Sequence, residues 1–178
     1  VSLALKGKYN TKPGVNVGCV IVKNNKIIVK GFYEKYGGSH AEINAINDVK
    51  RKYKTSYLSK LSGSKIYVSL EPCSKEGKTG ACVNELKKYN FKKIIIGCED
   101  PTQSGLSILE QAGYEVKNLN DENCLSLNEA FFHKAKFKKP FIRAKIAMSS
   151  DQKSVFLSGR RKWITGEQAR KDVQFLRA

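Results

Sequence analysis

Four residues of this chain have the types and spacing to activate water at a metal ion: His40, Glu42, Cys73 and Cys82. One imidazole and two thiolates suit Zn²⁺. Three protein ligands leave the fourth tetrahedral corner to water, whereas a structural zinc takes a fourth side chain. Zinc at such a site moves the pKa of that water towards about 7, so a nucleophile is available at neutral pH once a base receives the proton. Glu42, two residues after His40 in Ser39-His40-Ala41-Glu42, has the type for that proton shuttle and is read as catalytic base rather than ligand. The only other histidine, His133, falls far along the chain among lysines, so it offers no obvious fourth ligand.

Three donors can share an ion only if the fold brings them together, and the apolar pattern says how. Residues 17–23 and 27–33 are β-branched runs split by Asn24-Asn25, a pair that tolerates positive φ and predicts a two-residue hairpin. Gly37-Gly38-Ser39 interrupts the chain before a helix from 40 to about 51, with Ala41, Ala45, Ile46 and Val49 at helical spacing. His40 and Glu42 fall in its first turn. A strand over 65–70 delivers Glu71-Pro72-Cys73, and Cys82 opens a helix to about 89. His40 and Cys82 thus sit at helix N-termini, which favour a thiolate, facing the strand end that carries Cys73.

Residues 1–7 read as the end of an amphipathic helix and 53–63 as a polar loop or short helix. A buried strand over 93–98, a helix over 106–112 capped by Gly113, a short strand over 114–117 and one helix from 121 to about 136 continue the alternation. Such alternation implies an α/β layered domain. Past Pro140 the character changes to a strand over 141–148, a polar loop over 149–162 and a helix opened by Thr165-Gly166-Glu167-Gln168, a capping box. Two domains follow, 1–139 and 140–178.

The formal charge of +17 invites a nucleic-acid partner, but the 27 lysines outnumber the 6 arginines and are scattered along the whole chain. Arginine, which reads bases bidentately, is scarce, so nucleic acid is disfavoured and the basic surface is better suited to drawing in a small anionic substrate. Five cysteines without clustering fit reduced thiols and a cytoplasmic protein; Cys19, Cys98 and Cys124 read as buried and inert. No run approaches the roughly 18 apolar residues of a membrane span, and no secretory signal is visible. The chain starts at Val1 and stops at Ala178 inside a helical pattern, so it reads as a piece of a longer protein.

Several stretches together resemble the bifunctional deaminase/reductase family of riboflavin biosynthesis. They are Thr11-Lys12-Pro13, Asn16-Val17-Gly18-Cys19-Val20-Ile21-Val22, His40-Ala41-Glu42, Glu71-Pro72-Cys73-Ser74, Gly77-Lys78-Thr79, Cys82, Asp100-Pro101, Gln111-Ala112-Gly113 and Leu127-Asn128-Glu129-Ala130-Phe131-Phe132. The likeness continues through Trp163-Ile164-Thr165-Gly166 and Asp172-Val173-Gln174-Phe175-Leu176-Arg177-Ala178. The eight residues between Cys73 and Cys82 are specific, because tRNA adenosine and cytidylate deaminases carry two there.

The resemblance implies a cytidine-deaminase-like three-layer α/β/α sandwich with a mixed sheet, followed by the first strand and helix of a truncated reductase domain. It implies zinc on His40, Cys73 and Cys82, with Glu42 as proton shuttle. The implied substrate is 2,5-diamino-6-ribosylamino-4(3H)-pyrimidinone 5′-phosphate, deaminated at its 2-amino group. Lys78, Asp100 and Arg177 match substrate-contacting positions; Ala147 and Trp163 match positions that touch NADPH in the reductase part. A homo-oligomer is left open. The chain departs from the family pattern at Gly14-Val15, Tyr33, Lys75-Glu76, Gly80-Ala81 and Thr102-Gln103, where the family carries Asn-Pro, His, His-x, Pro-Pro and Asn-Pro, and the loop after Asp100 is shorter. These changes spare the metal and fall on the substrate side. A deaminase of another nucleotide or a tRNA base, or a zinc-binding domain without catalysis, stays open beside the main reading.

Overall fold

Asn24 and Asn25 adopt φ of 50° and 58°, so the chain reverses in two residues and β1 (Gly18–Lys23) pairs antiparallel with β2 (Lys26–Phe32), Cys19 opposite Gly31. This is the geometry of a computed structural model that describes residues 1–77, 79–155 and 163–177. The other edge of β1 pairs antiparallel with β3 (Lys65–Val68), which runs parallel to β4 (Lys93–Ile96), itself parallel to β5 (Val116–Asn118). The sheet order is β2-β1-β3-β4-β5.

Cross-strand partners share a face, so Cys19, Ile21, Ile66, Val68, Ile94 and Ile96 form one continuous apolar surface, all of it buried. Full burial of each isoleucine contributes about 1.5–3 kcal/mol. Against it lies α1 (Ala41–Tyr53), which buries Ala41, Ala45, Ile46 and Val49 on one stripe. The closeness of that packing explains Gly31. A Cβ there would stand 2.4 Å from the Ala41 carbonyl oxygen and 2.5 Å from the Ala45 nitrogen. Only glycine lets the first turn of α1, with Glu42 in it, press onto β2.

A 3-10 turn (Lys54–Ser56) and α2 (Tyr57–Leu61) follow α1, then α3 (Cys82–Leu86), α4 (Gly105–Gln111), α5 (Glu122–Leu127) and α6 (Glu129–Phe137). The α3 helix stops short of residue 89. There Glu85 accepts hydrogen bonds from Lys88 (2.6 Å), the Tyr89 hydroxyl (2.7 Å) and Lys50 of α1 (3.3 Å). This group ties the helix that starts beside His40 to the one that starts at Cys82. Burial pushes the Glu85 carboxyl up, but the three donors outweigh it and hold it at about 2 instead of 4.5.

Three further expectations are corrected. The single helix expected over 121–136 breaks at Asn128, whose side chain accepts from the Asn16 N–H (2.8 Å) and donates to the Asn16 carbonyl (2.9 Å). Residues 1–7 make only a 3-10 turn, Ala4–Gly7. The strand expected over 141–148 does not form, because an extended segment needs a neighbour to complete its ladder and none pairs with it among the described residues. Contacts divide the chain into Val1–Pro140 and Phe141–Ala178; the second unit carries α7 (Glu167–Arg177). No described helix is long and apolar enough to cross a membrane.

Replacing Gly31 by Ala should force α1 away from β2 and destabilise the protein by about 1–3 kcal/mol in urea denaturation; unchanged stability would contradict this packing. Glu85→Gln tests the pH dependence. A carboxyl held below its unfolded pKa adds stability that is present above about 4.5 and is lost as pH falls through about 2. In chelator-treated protein the variant should therefore be less stable than the parent at neutral pH, and the two should converge as the pH drops through that window.

Candidate metal centre and its pocket

His40 is the residue before α1, extended at φ −68° and ψ 166°, so its ring swings out from the helix start. Cys82 is the first residue of α3, and Cys73 lies on the connection that leaves β3. That connection stays seated beside the sheet because the Gly97 N–H donates to the Val68 carbonyl and the Glu71 N–H to that of Cys98. The result is convergence: His40 Nδ1 is 3.3 Å from Cys82 Sγ and 3.4 Å from Cys73 Sγ. All three ligand atoms lie within 4.8 Å of one another. Zn–N of about 2.0 Å and Zn–S of about 2.3 Å place the corners of a tetrahedron roughly 3.5–3.8 Å apart. The donor set suits zinc, the two nitrogen–sulfur separations are within a few tenths of an ångström of such corners, and no fourth ligand joins the cluster among the described residues.

The electrostatics favour a cation. Hydrogen bonding from Cys82 draws the Cys73 thiol down to about 4, helped by His40 and by the Cys82 N–H at 3.2 Å. Cys82, which shares its proton with Cys73 and is buried, is pushed up; His40, bonded to Cys73, is also raised. The thiolate at the mouth of α3 is therefore Cys73, with the helix N–H aimed at it. Glu42 is 3% exposed, and burial lifts its carboxyl to about 7.

The pocket is lined by the apolar Val15, Val17 and Leu70 together with Tyr33, His40, Glu42, Glu71, Cys73, Asp100 and Gln103. Tyr33 meets the His40 ring edge-on, centroids 5.3 Å apart, and its hydroxyl accepts from the Gly37 N–H at 2.9 Å. Asp100 enters the pocket as a 9% exposed residue and accepts from the Thr102 N–H (2.8 Å) and hydroxyl (2.7 Å).

Reasoning from sequence missed Glu71 as an anchor and gave Gln103 only as a departure from the family pattern. Glu71, 7% exposed, accepts from the Asp100 N–H (2.9 Å) and from the Leu106 N–H (2.8 Å) in the first turn of α4. It caps that helix from outside, since Ser104 at the N-cap makes no side-chain cap bond. Gln103 Oε1 accepts from the Ser74 N–H (2.9 Å), the Ser74 hydroxyl (3.0 Å) and the Lys75 N–H (3.3 Å). Both partnerships join residues about 30 apart, which no local pattern reveals. Gly105 is the one related clue: a Cβ there would stand 1.9 Å from the Pro72 carbonyl oxygen.

Of the other expected site residues, Lys78 lies outside the described residues. Ala147, Trp163 and Arg177 belong to the second unit and are exposed there, Trp163 with the Arg170 guanidinium 4.5 Å from its ring centroid. Cys19, Cys98 and Cys124 are buried and free. Burial pushes the Cys19 and Cys124 thiols up and Cys98 to about 12, so all three are inert at neutral pH.

A mixed sheet that brings one histidine and two cysteines to a single cluster beside a pocket, with a buried glutamate in the first helix turn after the histidine, defines a zinc deaminase fold. Residues 1–98 match the family model of the cytidine and deoxycytidylate deaminase zinc-binding region, and the chain belongs to that family. More narrowly, it is 44% identical over 179 residues to the riboflavin biosynthesis protein RibD of Actinobacillus pleuropneumoniae, an alignment covering 98% of this chain and 46% of that protein. Among solved structures it is similar to Acinetobacter baumannii RibD (TM-score 0.82, 39% identity, 99% of this chain and 49% of that one). It is also similar to the diaminohydroxyphosphoribosylaminopyrimidine deaminase/5-amino-6-(5-phosphoribosylamino)uracil reductase of Thermotoga maritima (TM-score 0.84, 34% identity, 99% of this chain and 50% of that one). The chain thus spans about half the length of the relatives it matches, and its fold is the cytidine-deaminase-like α/β fold of those structures.

Purified protein should hold one zinc per chain by elemental analysis. Cys73→Ala and Cys82→Ala should each lose it, and a chelator should lower the parent's melting temperature but not theirs. Full zinc content in both variants would rule out this donor set.

Proposed function

We propose that this chain carries the deaminase activity of a two-activity riboflavin-biosynthesis enzyme, removing the 2-amino group of 2,5-diamino-6-ribosylamino-4(3H)-pyrimidinone 5′-phosphate. One observation carries the reading: His40, Cys73 and Cys82 converge on one point, and His40 and Cys73 line the pocket that buried Glu42 also lines, in a chain whose similarity to RibD runs along nearly its whole length. In this reading His40, Cys73 and Cys82 hold zinc and Glu42 moves the protons. Zinc, when bound there, supplies the Lewis acidity that makes water a nucleophile at neutral pH.

Glu42 does the proton work. A carboxyl held near 7 by burial is matched to both taking and returning a proton at neutral pH. It accepts the proton of the attacking water, passes it to the ring nitrogen beside the reacting carbon, and a second transfer lets the amine leave as ammonia. A C–O bond forms, a C–N bond breaks, and one water is consumed per ammonia released. The apolar wall of Val15, Val17 and Leu70 keeps bulk water from the ring, and Asp100 offers an acceptor to its amino groups. Lys78, close in sequence to Cys73 and Cys82, is assigned to the substrate by resemblance, and the basic surface favours an anionic ligand.

Residues 140–178 are assigned to the opening of a reductase domain, with Ala147 and Trp163 on its NADPH side and Arg177 on its substrate side. The alignment to RibD through that region supports this. Those side chains are exposed, and the reaction assigned to this chain is the deamination, whose site residues cluster in the first unit. Five free cysteines fit a reducing compartment, the cytoplasm.

Zinc-loaded protein should release ammonia from the diaminopyrimidinone ribosyl phosphate. Glu42→Gln should keep its zinc and lose roughly 10²–10⁴-fold in turnover. Release from cytidylate or an RNA base, with none from the diaminopyrimidinone, would transfer the activity to another substrate.

A further inference from the structure

Gln103 is held in one orientation. Its Oε1 accepts from two backbone N–H groups, those of Ser74 and Lys75, as well as from the Ser74 hydroxyl. A backbone N–H can only donate, so the amide cannot be flipped and its NH₂ must point the other way. The Ser104 N–H donates to Ser74 Oγ (3.1 Å) and Lys75 Nζ to the Thr102 carbonyl (2.5 Å), so the loop carrying Gln103 and the loop between the cysteines are tied along their length. Gln103 lines the pocket that holds Glu42 and Asp100, it is half-buried, and its Nε2 meets no acceptor among the described residues.

The other polar groups around that pocket are mostly acceptors. The Glu71 carboxylate has both oxygens engaged by backbone N–H groups, and Asp100 is a carboxylate. A half-buried amide donor at the edge of such a site is open to solvent and free to donate to a ligand oxygen in place of water.

We propose that Gln103 is a specificity-determining residue whose Nε2–H donates to an acceptor oxygen of the substrate. This rests on the deaminase reading above. The oxygen belongs either to the pyrimidinone carbonyl or to the ribosyl phosphate, the two acceptor types that the substrate class carries. A proline in this position, as the family pattern has, could not make the contact.

The test uses the zinc-loaded 178-residue chain in the Glu42→Gln background, where ligand binds without turnover, and measures binding of the diaminopyrimidinone ribosyl phosphate and of its phosphate-free riboside by calorimetry. Gln103→Glu keeps an oxygen for Ser74 and Lys75 but replaces the donor by an acceptor. Added to Glu42→Gln, it should leave melting temperature and zinc content unchanged and weaken binding of the phosphate by about 10- to 100-fold. A loss seen with both ligands places the contact on the ring carbonyl, and a loss confined to the phosphorylated one places it on the phosphate. Gln103→Met, which removes the loop tie as well, should also lower the melting temperature. Binding within twofold of the parent for Gln103→Glu would overturn the proposal while leaving the deaminase reading intact, because wild-type ammonia release tests that separately. No ammonia from the wild type and no binding to the Glu42→Gln protein would overturn both.

Discussion

Everything in the pocket depends on how closely α1 approaches the sheet. The helix presses its first turn onto β2 where Gly31 leaves no side chain, and this puts His40 at the sheet's end beside the segment that carries Cys73. Buried Ala41 and Ala45, both small, allow the approach, and Ile46 and Val49 hold it. A larger residue at Gly31 would lift the helix against its own backbone, and the imidazole would move away from both sulfurs. The metal donors are therefore aligned by packing several residues away from them, in keeping with the general need for rigid elements beneath a reactive site.

The second half of the site is held by hydrogen bonds rather than by packing. Cys73, Asp100 and Gln103 stand on loops, and loops need fixed anchors to keep side chains within tenths of an ångström. Glu71 supplies one by binding the Asp100 and Leu106 amides, which also satisfies a donor that the short helix α4 cannot satisfy itself. Asn128 supplies another by pairing with both backbone groups of Asn16, between the pocket residues Val15 and Val17. The helix breaks in two at Asn128, where that pairing is made, and the pairing holds the segment that carries Val15 and Val17.

Charge is divided by scale. The chain as a whole carries +17, while the pocket gathers Glu42, Glu71 and Asp100 around the histidine and thiols. A positive surface raises the encounter rate of an anionic ligand, and a pocket of acceptors favours groups that donate hydrogen bonds. Of the departures from the family pattern, Tyr33 and Gln103 line the pocket, and Gly14 packs beside Tyr33. Gly14 and Tyr33 are neighbours there: a Cβ on Gly14 would stand 3.3 Å from the Tyr33 ring. Change at one of these positions therefore bears on the shape of the other.

The hairpin at Asn24-Asn25, the helix that opens after His40, the end of a strand near Cys73 and the helix start at Cys82 were all legible in the chain. Each follows from local sterics or from the spacing of apolar residues, which operate over a few positions. The zinc chemistry was legible for the same reason, because the residue types and the eight-residue gap between cysteines are themselves the signal. What only the tertiary structure decided were the contacts that span the chain. Glu71 caps a helix 35 residues away, Gln103 pins a loop 29 residues back, and Asn128 breaks its helix to bind Asn16, 112 positions earlier. Residues 141–148 show the reverse. Their alternation is strand-like, but a strand exists only when a neighbour accepts its hydrogen bonds, and periodicity carries no information about whether that neighbour is there.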